Sequence, residues 1–166
     1  GSPTITTNYN ASVISVTINA AAATLSLGGT LTCSGIITLT AGTFTTNNFN
    51  VTASSLSSSN SNTRTINLGS STVTLSIAGN AIAISNASNL TFNAGTSQLN
   101  ITGGSPSVIA ASVGGNSLTF YNVAFTSTST STVTINGACS FNNFSVAAPA
   151  SAGVNQVTFD SRQTIN

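Results

Sequence analysis

Charged side chains are almost missing from this sequence of 166 residues. Arg64, Asp160 and Arg162 are its three charged residues, and it contains no lysine, no glutamate and no histidine. Soluble domains carry roughly a quarter charged residues, and a net charge near zero favours association. We therefore expect a protein that works assembled or immobilised, with a surface hydrated by hydroxyl and amide groups.

The missing residue types exclude most catalytic chemistry. General acid and base catalysis needs groups that titrate near the working pH, glycosidases need two carboxylates, and a Ser-His-Asp triad needs a histidine. The sequence therefore predicts a protein that is not an enzyme. Asp160 and Arg162, two positions apart, are interpreted as a weak exposed ion pair, and Arg64 as a residue that caps or hydrates a turn.

Metal, nucleic-acid and membrane binding are excluded on similar grounds. Zinc and calcium sites need clustered Cys, His or acidic side chains, and two arginines cannot form a nucleic-acid footprint. No run approaches the ~18 apolar residues of a membrane helix, and residues 1–10 lack the basic and apolar regions of a signal peptide. We expect no cofactor, no metal, no nucleic-acid partner and no membrane insertion.

Short alternating strands fill the sequence, which is 40% hydrophobic. An apolar, small polar, apolar pattern recurs, and it is typical of a half-buried strand. Turn-forming segments such as LGGT, TAGT and LGSS separate these strands, and helical periodicity is absent. The pattern occurs at 16–18, 25–27, 37–39, 49–51, 66–68, 73–75, 82–84, 90–92, 99–101, 118–120, 123–125, 133–135, 144–146 and 157–159.

This organisation predicts an all-β fold in a single domain, residues 1–166. A β-solenoid resembling a parallel β-helix is favoured, because stacked coils let outward Thr and Asn side chains form ladders with few charges. About three strands per coil give a rod of some five to seven coils, about 30 Å long at a spacing of ~4.8 Å. The alternative is a β-sandwich with strand exchange between subunits.

The two cysteines help to separate these folds. Cys33 and Cys139 are 106 positions apart, which in a solenoid is about 20 Å along the axis at ~4.8 Å per coil. A disulfide needs Cα atoms within ~7 Å. We therefore expect two separate buried thiols, and an intrachain bond would favour the sandwich.

The stretch TSTSTSTVTI, residues 126–135, suggests one long row of threonines. If Val133 and Ile135 point inward, Ser127, Ser129 and Ser131 would also point inward in one continuous strand, and they would make a poor core. We therefore expect a polar turn or bulge at 126–131 and a strand from Thr132.

Two kinds of surface site are predicted. An outward threonine face, repeated on successive coils, would suit ice binding. Its candidates are Thr38, Thr74, Thr91, Thr119, Thr134 and Thr158. Six Asn-x-Ser/Thr sequons could accept N-glycans in a suitable host, although about this number is expected by chance. They begin at Asn10, Asn50, Asn86, Asn89, Asn100 and Asn143.

Several longer stretches resemble known repeat proteins. SSSNSNTRTINLGSSTVTL (57–75), NLTFNAGTSQLNITG (89–103) and CSFNNFSVAAPASAGVNQVTFDSRQTIN (139–166) resemble tandem-repeat proteins of environmental phages and uncultured bacteria. The likeness covers most of the chain from about residue 29 and rests on strand and turn grammar. It implies a long, β-rich, extracellular or virion-associated protein, and it offers no functional residues.

Taken together, these features predict a structural protein, a subunit or segment of an extracellular, cell-surface or virion-associated fibre. Its partners would be other copies of itself or the continuation of a longer fibre chain, because open strand edges template addition. Residues 1–18 are predicted as an assembly strand, through Val13, Ile14, Val16 and Ile18; alternatively they form the first coil of their own domain. The alternative functions are a glycan- or receptor-binding adhesin and an ice-binding protein.

Overall fold

Eighteen short strands and no helix make up the described part of the chain. The structure is a computed structural model, and it describes residues 4–7, 10–104, 107–111, 117–128, 132–147, 156–159 and 163–166. The strands are β1 (Thr4–Thr7), β2 (Ala11–Val13), β3 (Val16–Leu27), β4 (Leu31–Cys33), β5 (Ile36–Thr45), β6 (Val51–Ala53), β7 (Ser55–Ser57), β8 (Arg64–Asn67), β9 (Thr72–Leu75), β10 (Gly79–Ile84), β11 (Leu90–Asn93), β12 (Gln98–Ile101), β13 (Ser107–Ala111), β14 (Leu118–Phe125), β15 (Thr132–Asn136), β16 (Cys139–Val146), β17 (Gln156–Phe159) and β18 (Thr164–Ile165).

The strands build a β-solenoid of about six turns. Every described pairing is parallel and joins strands of neighbouring coils. The six coils span residues 16–33, 36–53, 55–75, 79–101, 107–125 and 132–146, with β1 and β2 before them and β17 and β18 after them. The predicted solenoid is therefore confirmed, and the sandwich alternative is wrong.

Each coil passes over three faces in the same order. Face 1 contains the first parts of β3 and β5, then β7, β10, β13, β15 and β17. Face 2 contains β1, the second parts of β3 and β5, then β8 and β11, followed by the first halves of β14 and β16 and by β18. Face 3 contains β2, β4, β6, β9, β12 and the second halves of β14 and β16.

The core consists of columns of apolar side chains that point inward from the three faces. Because neighbouring strands are parallel and in register, residues of similar type stack on each other along the axis. On face 1, Ile37, Leu56, Ile82, Ile109 and Ile135 form one such column, and each is at most 2% exposed. This stacking buries the apolar half of each alternating strand and leaves the polar half outside.

Inward serine and threonine side chains also occur in this core, at the corners. Two of them donate a hydrogen bond to a backbone carbonyl of a neighbouring coil: Thr46 to Leu68 at 2.7 Å, and Ser58 to Leu39 at 2.8 Å. Buried hydroxyls that are bonded in this way cost little stability. A corner hydroxyl thus links one coil to the next.

The remaining predictions about local structure divide. Cys33 and Cys139 are buried thiols in different coils and are not joined by a disulfide, as predicted. β15 begins at Thr132 with Val133 and Ile135 buried, and residues 126–128 lie outside the strands, as predicted. Phe49 was placed in a strand by its pattern, but it lies in a turn and is 39% exposed.

Candidate functional surfaces

Face 2 carries the most regular set of outward side chains in the described part. Its outward positions lie in two columns, one of threonines and one of hydroxyl or amide residues. We call their members on four successive coils the threonine-ladder face: Thr24, Thr43, Thr65 and Thr91 in the first column, and Ser26, Thr45, Asn67 and Asn93 in the second. No register shift interrupts these four rungs on face 2. The backbone of β1 continues the ladder beyond these rungs, with Thr4 paired with Thr24 and Thr6 with Ser26.

The two columns differ in their hydrogen bonding. In the first column the threonine hydroxyls make no side-chain hydrogen bond within the described part of the chain, and they are half-buried to exposed. In the second column, Asn47 Nδ2 donates to Ser26 Oγ at 2.7 Å, and Asn93 Nδ2 donates to Asn67 Oδ1 at 2.7 Å. The second column is therefore tied down by the protein, while the first offers its hydroxyls to solvent.

The turns between face 2 and face 3 stack on each other along one edge of the threonine-ladder face. The corner between faces 2 and 3 contains Asn47, Gly69 and Gly95 on successive coils, all with positive φ of 49°, 58° and 60°. A side chain at Gly95 would collide with the backbone of Gly69. Glycine is needed there both for the left-handed backbone and for the close approach of the two coils.

Arg64 lies inside the protein and not at its surface. It opens β8 and is 0% exposed. Its guanidinium donates to the carbonyls of Ser58 (2.6 Å), Asn62 (2.9 Å), Asn86 (3.2 Å) and Ser88 (2.8 Å), and to the hydroxyl of Ser58 (3.1 Å). The predicted capping of a turn is thus confirmed in substance, but the predicted hydrated position is wrong.

The acceptors around Arg64 explain how a cation is tolerated there. They come from the turns between faces 1 and 2 of the third and fourth coils, so one side chain joins two neighbouring coils. All are neutral, and burial lowers the pKa of the Arg64 guanidinium. A buried charge is costly unless every donor has a partner, and this fork of carbonyls supplies them.

The outward threonine face predicted from the sequence is wrong as a set. Its six members lie on three different faces: Thr38, Thr134 and Thr158 on face 1, Thr91 and Thr119 on face 2, and Thr74 on face 3. On face 1, Thr38 is followed along its column by Ser57 and Ala83. The prediction failed because the same apolar, polar, apolar pattern occurs on all three faces, so the pattern alone does not tell on which face a threonine lies.

The six sequon asparagines are all hydrogen-bonded through their side chains. Asn10 and Asn50 are exposed, and each accepts a backbone N–H from the next coil, that of Thr30 at 2.9 Å and of Thr72 at 3.0 Å. The other four also bond through their side chains: Asn86 with Ser88, Asn89 with Ser61, Asn100 with Gln98, and Asn143 with Asn122. Glycosylation at these sites stays a prediction.

The predicted assembly segment forms the first rungs of the chain's own solenoid. β1 pairs with β3 and β2 with β4, and within the described part neither has a second partner strand. Val16 and Ile18 pair with Ile37 and Leu39 on face 1. Val13 and Ile14 are 37% and 83% exposed. The alternative interpretation as a first coil is therefore confirmed, and addition to a neighbour stays a prediction.

The core is open at this end. A cavity of about 250 Å³ is lined by Ala11, Val13, Ser15, Val16, Thr17, Ile18, Leu25 and Leu31. Its apolar walls are the first members of the inward columns. At the opposite end, Phe159 and Ile165 are 44% and 57% exposed. Both ends of the described solenoid thus present core side chains and free strand edges.

The backbone ladder of face 2 is interrupted in the middle of the solenoid. β11 pairs with β8 but not with β14, and a cleft of about 420 Å³ opens between them, lined by Ala87, Asn89, Leu90, Phe92, Ser117, Leu118 and Thr119. The ring of Phe92 packs against that of Phe120 with centroids 5.2 Å apart. Aromatic packing here replaces the backbone ladder.

The described residues contain no group of three or more His, Cys, Asp or Glu that could hold a metal ion. Among the same residues, no helix is long and apolar enough to cross a membrane. Asp160 and Arg162 lie outside the described residues, so their predicted ion pair stays a prediction.

Comparison of this chain with protein-family models, with characterised proteins and with solved structures finds no match.

Proposed function

We propose that this chain is a non-enzymatic structural protein, a rod segment of an extracellular or virion-associated fibre in which copies stack head to tail. The observation that carries this proposal is the state of the two ends. Within the described part of the chain, the strands at each end pair on one side only, and each end also has exposed apolar side chains, Val13 and Ile14 at one end and Phe159 and Ile165 at the other.

Stacking a second copy would continue what the coils already do. Among the described strands, none pairs with the outer edges of β1 and β2, and none pairs with the outer edges of β17 and β18 at the far end. Parallel edges of this kind template the addition of another strand. A second copy would extend the hydrogen-bond ladders and cover the apolar cavity of about 250 Å³.

The low charge supports the same function. Soluble proteins resist edge-to-edge association by placing charged side chains, especially lysine, on exposed edges. This sequence has no lysine and a formal net charge of +1. Nothing in its composition opposes the approach of two ends, since hydroxyls and amides hydrate the rod without repulsion.

The test is assembly of the purified chain at rising concentration, followed by electron microscopy and sedimentation velocity. We compare the wild type with Ile14→Lys and Ile165→Lys, one at each end. Phe49→Lys is the matched control, because Phe49 is an exposed apolar residue in a turn on the side of the rod.

The wild type and the control are expected to form filaments one solenoid wide. Each end variant is expected to remain a single particle, because a lysine in an apolar joint loses its hydration without gaining a partner. The proposal is abandoned if the wild type stays dispersed at every concentration, or if the end variants assemble as well as the control.

A further inference from the structure

We propose that the threonine-ladder face binds the surface of ice. Its first column repeats one side chain on four successive coils, and its second column places a hydroxyl or amide two residues further along each strand. Rungs of a sheet are about 4.8 Å apart, and outward neighbours on one strand about 6.7 Å. The face is therefore a rectangular grid of polar groups, close in spacing to the oxygen rows on a crystal plane of ice.

The chemistry of the grid suits a water lattice. Each threonine presents one hydroxyl and one methyl group, and the hydroxyls of Thr24, Thr43, Thr65 and Thr91 have no side-chain hydrogen bond within the described part of the chain. They can hold waters at fixed positions. The methyl groups limit the other directions in which those waters can bond.

The grid is also rigid before any ligand arrives. Threonine is β-branched and has few accessible χ1 rotamers. The strands beneath the first three rungs are hydrogen-bonded on both sides, and β11 beneath the fourth rung is bonded to β8 on one side. The second column is fixed by the Asn47 to Ser26 and Asn93 to Asn67 bonds. Little side-chain freedom would be lost on contact with a crystal, and such preorganisation favours binding.

Charge and aromatic content distinguish ice from a glycan as the ligand. Glycan sites commonly combine aromatic platforms with carboxylates or amides, and none of the eight residues of this face is aromatic or acidic. Within the described residues, Arg64 is the charged side chain, and it is fully buried. The described surface thus carries no charged side chain that would impose its own hydration on the neighbouring water.

The other two faces fit less well. The column of face 1 that contains Thr38 continues with Ser57, Ala83 and Ala110, so hydroxyls are lost. On face 3, one outward column contains Ser12, Thr32, Thr52 and Thr74 and then continues with Asn100, so it has three threonine rungs. Beside this column, Asn50 uses its side-chain oxygen to accept the backbone N–H of Thr72 at 3.0 Å. Within the described part of the chain, four consecutive rungs of face 2 carry a threonine whose hydroxyl makes no side-chain hydrogen bond.

The experiment measures ice growth in solutions of the full chain, as crystal shape under the microscope and as the gap between melting and freezing temperatures. Thr43→Tyr and Thr65→Tyr each place a bulky ring in the middle of the grid. Thr52→Tyr is the matched control, an exposed outward threonine in β6 on face 3. Circular dichroism and thermal melting confirm that all variants fold.

We expect the wild type and Thr52→Tyr to shape ice crystals and to separate the freezing temperature from the melting temperature. We expect Thr43→Tyr and Thr65→Tyr to lose both effects. The proposal is overturned if the wild type leaves ice growth unchanged, or if Thr52→Tyr loses as much as Thr65→Tyr. A third outcome would also overturn the proposal. If the wild type does not affect ice but binds insoluble polysaccharide, and the face 2 variants abolish that binding, the face is a glycan-binding surface. Because four rungs of one chain carry the site, the result does not depend on head-to-tail stacking.

Discussion

The first four coils and the last two coils solve the same packing problem in different ways. In the second to fourth coils, a turn separates face 2 from face 3. The first outward threonine of face 2 and the first inward residue of face 3 are therefore eight positions apart in the sequence, as in Thr65 and Val73. In the last two coils, β14 and β16 run over both faces without a turn, and the same distance is four positions, as in Thr119 and Val123.

The junction between these two groups of coils shows how the core compensates for a lost ladder on face 2. Where the long coil meets the short one, between β11 and β14, the backbone ladder of face 2 is lost, but the inward column continues through Phe92, Phe120 and Phe141. Their rings have centroids 5.2 and 5.8 Å apart. Aromatic rings are large enough to stay in contact where the strands separate. On face 2, core packing therefore spans the gap in the ladder, while the ladders of faces 1 and 3 continue across the junction between β10 and β13 and between β12 and β14.

Phe120→Ala tests this bridge and has the largest expected effect. Phe120 is 2% exposed, and truncating a buried phenylalanine costs about 3–5 kcal/mol of unfolding free energy. Native-state hydrogen exchange should show the last two coils opening before the first four. The control is Phe44→Ala, 1% exposed within the continuous ladder. Equal and uniform loss of protection in both variants would show that the junction is no weaker than the rest.

Arg64→Met should weaken the first region alone. The substitution removes the donor for four carbonyls of two turns, and each unsatisfied buried group costs about 1–3 kcal/mol, partly recovered by relaxation and water. We expect a loss of about 2–4 kcal/mol in denaturant unfolding. Arg64→Lys keeps the charge but lacks the planar guanidinium, so its unfolding free energy should lie between those of the wild type and Arg64→Met. If Arg64→Met is as stable as the wild type, the hydrogen bonds of Arg64 do not stabilise these coils.

Gly95→Ala addresses the turn that the last two coils lack, and its expected effect is smaller. The new Cβ would meet the backbone of Gly69, and a non-glycine residue with positive φ costs about 1–3 kcal/mol. Gly79→Ala is the comparison, since its backbone is also left-handed (φ 112°) but nothing lies within 4 Å of the new Cβ. Equal melting temperatures for the two variants would argue that contact between coils at the corner is unimportant.

Much of the fold could be predicted because alternation is a local signal. The burial of Val133 and Ile135 and the start of β15 at Thr132 follow from which side chains can share a core. Strands with a single inward residue were missed, since Thr43-Phe44-Thr45 reverses the apolar, polar, apolar pattern. Phe49 fits that pattern by chance and lies in a turn.

The surfaces were harder to predict because they depend on coil length. The step along the first column of face 2 is 19 residues from Thr24 to Thr43 and 26 from Thr65 to Thr91. Turns of different length absorb this variation, and no local pattern reports it. The signal that could have found the threonine-ladder face is a threonine followed two positions later by Thr, Ser or Asn, around one apolar residue. Face 3 carries similar triplets, so only the register separates them.

Arg64 has a consequence for the environments in which the rod can persist. Its partners are uncharged, so dissolved ions have no ion pair to screen there. Because burial lowers its pKa, the unfolded chain holds the proton more tightly, and stability rises with pH only in the strongly alkaline range where a guanidinium begins to lose that proton. From mild acid to neutral pH the cation is unchanged. Fresh water, brine and mildly acidic water are therefore equivalent surroundings for this part of the molecule.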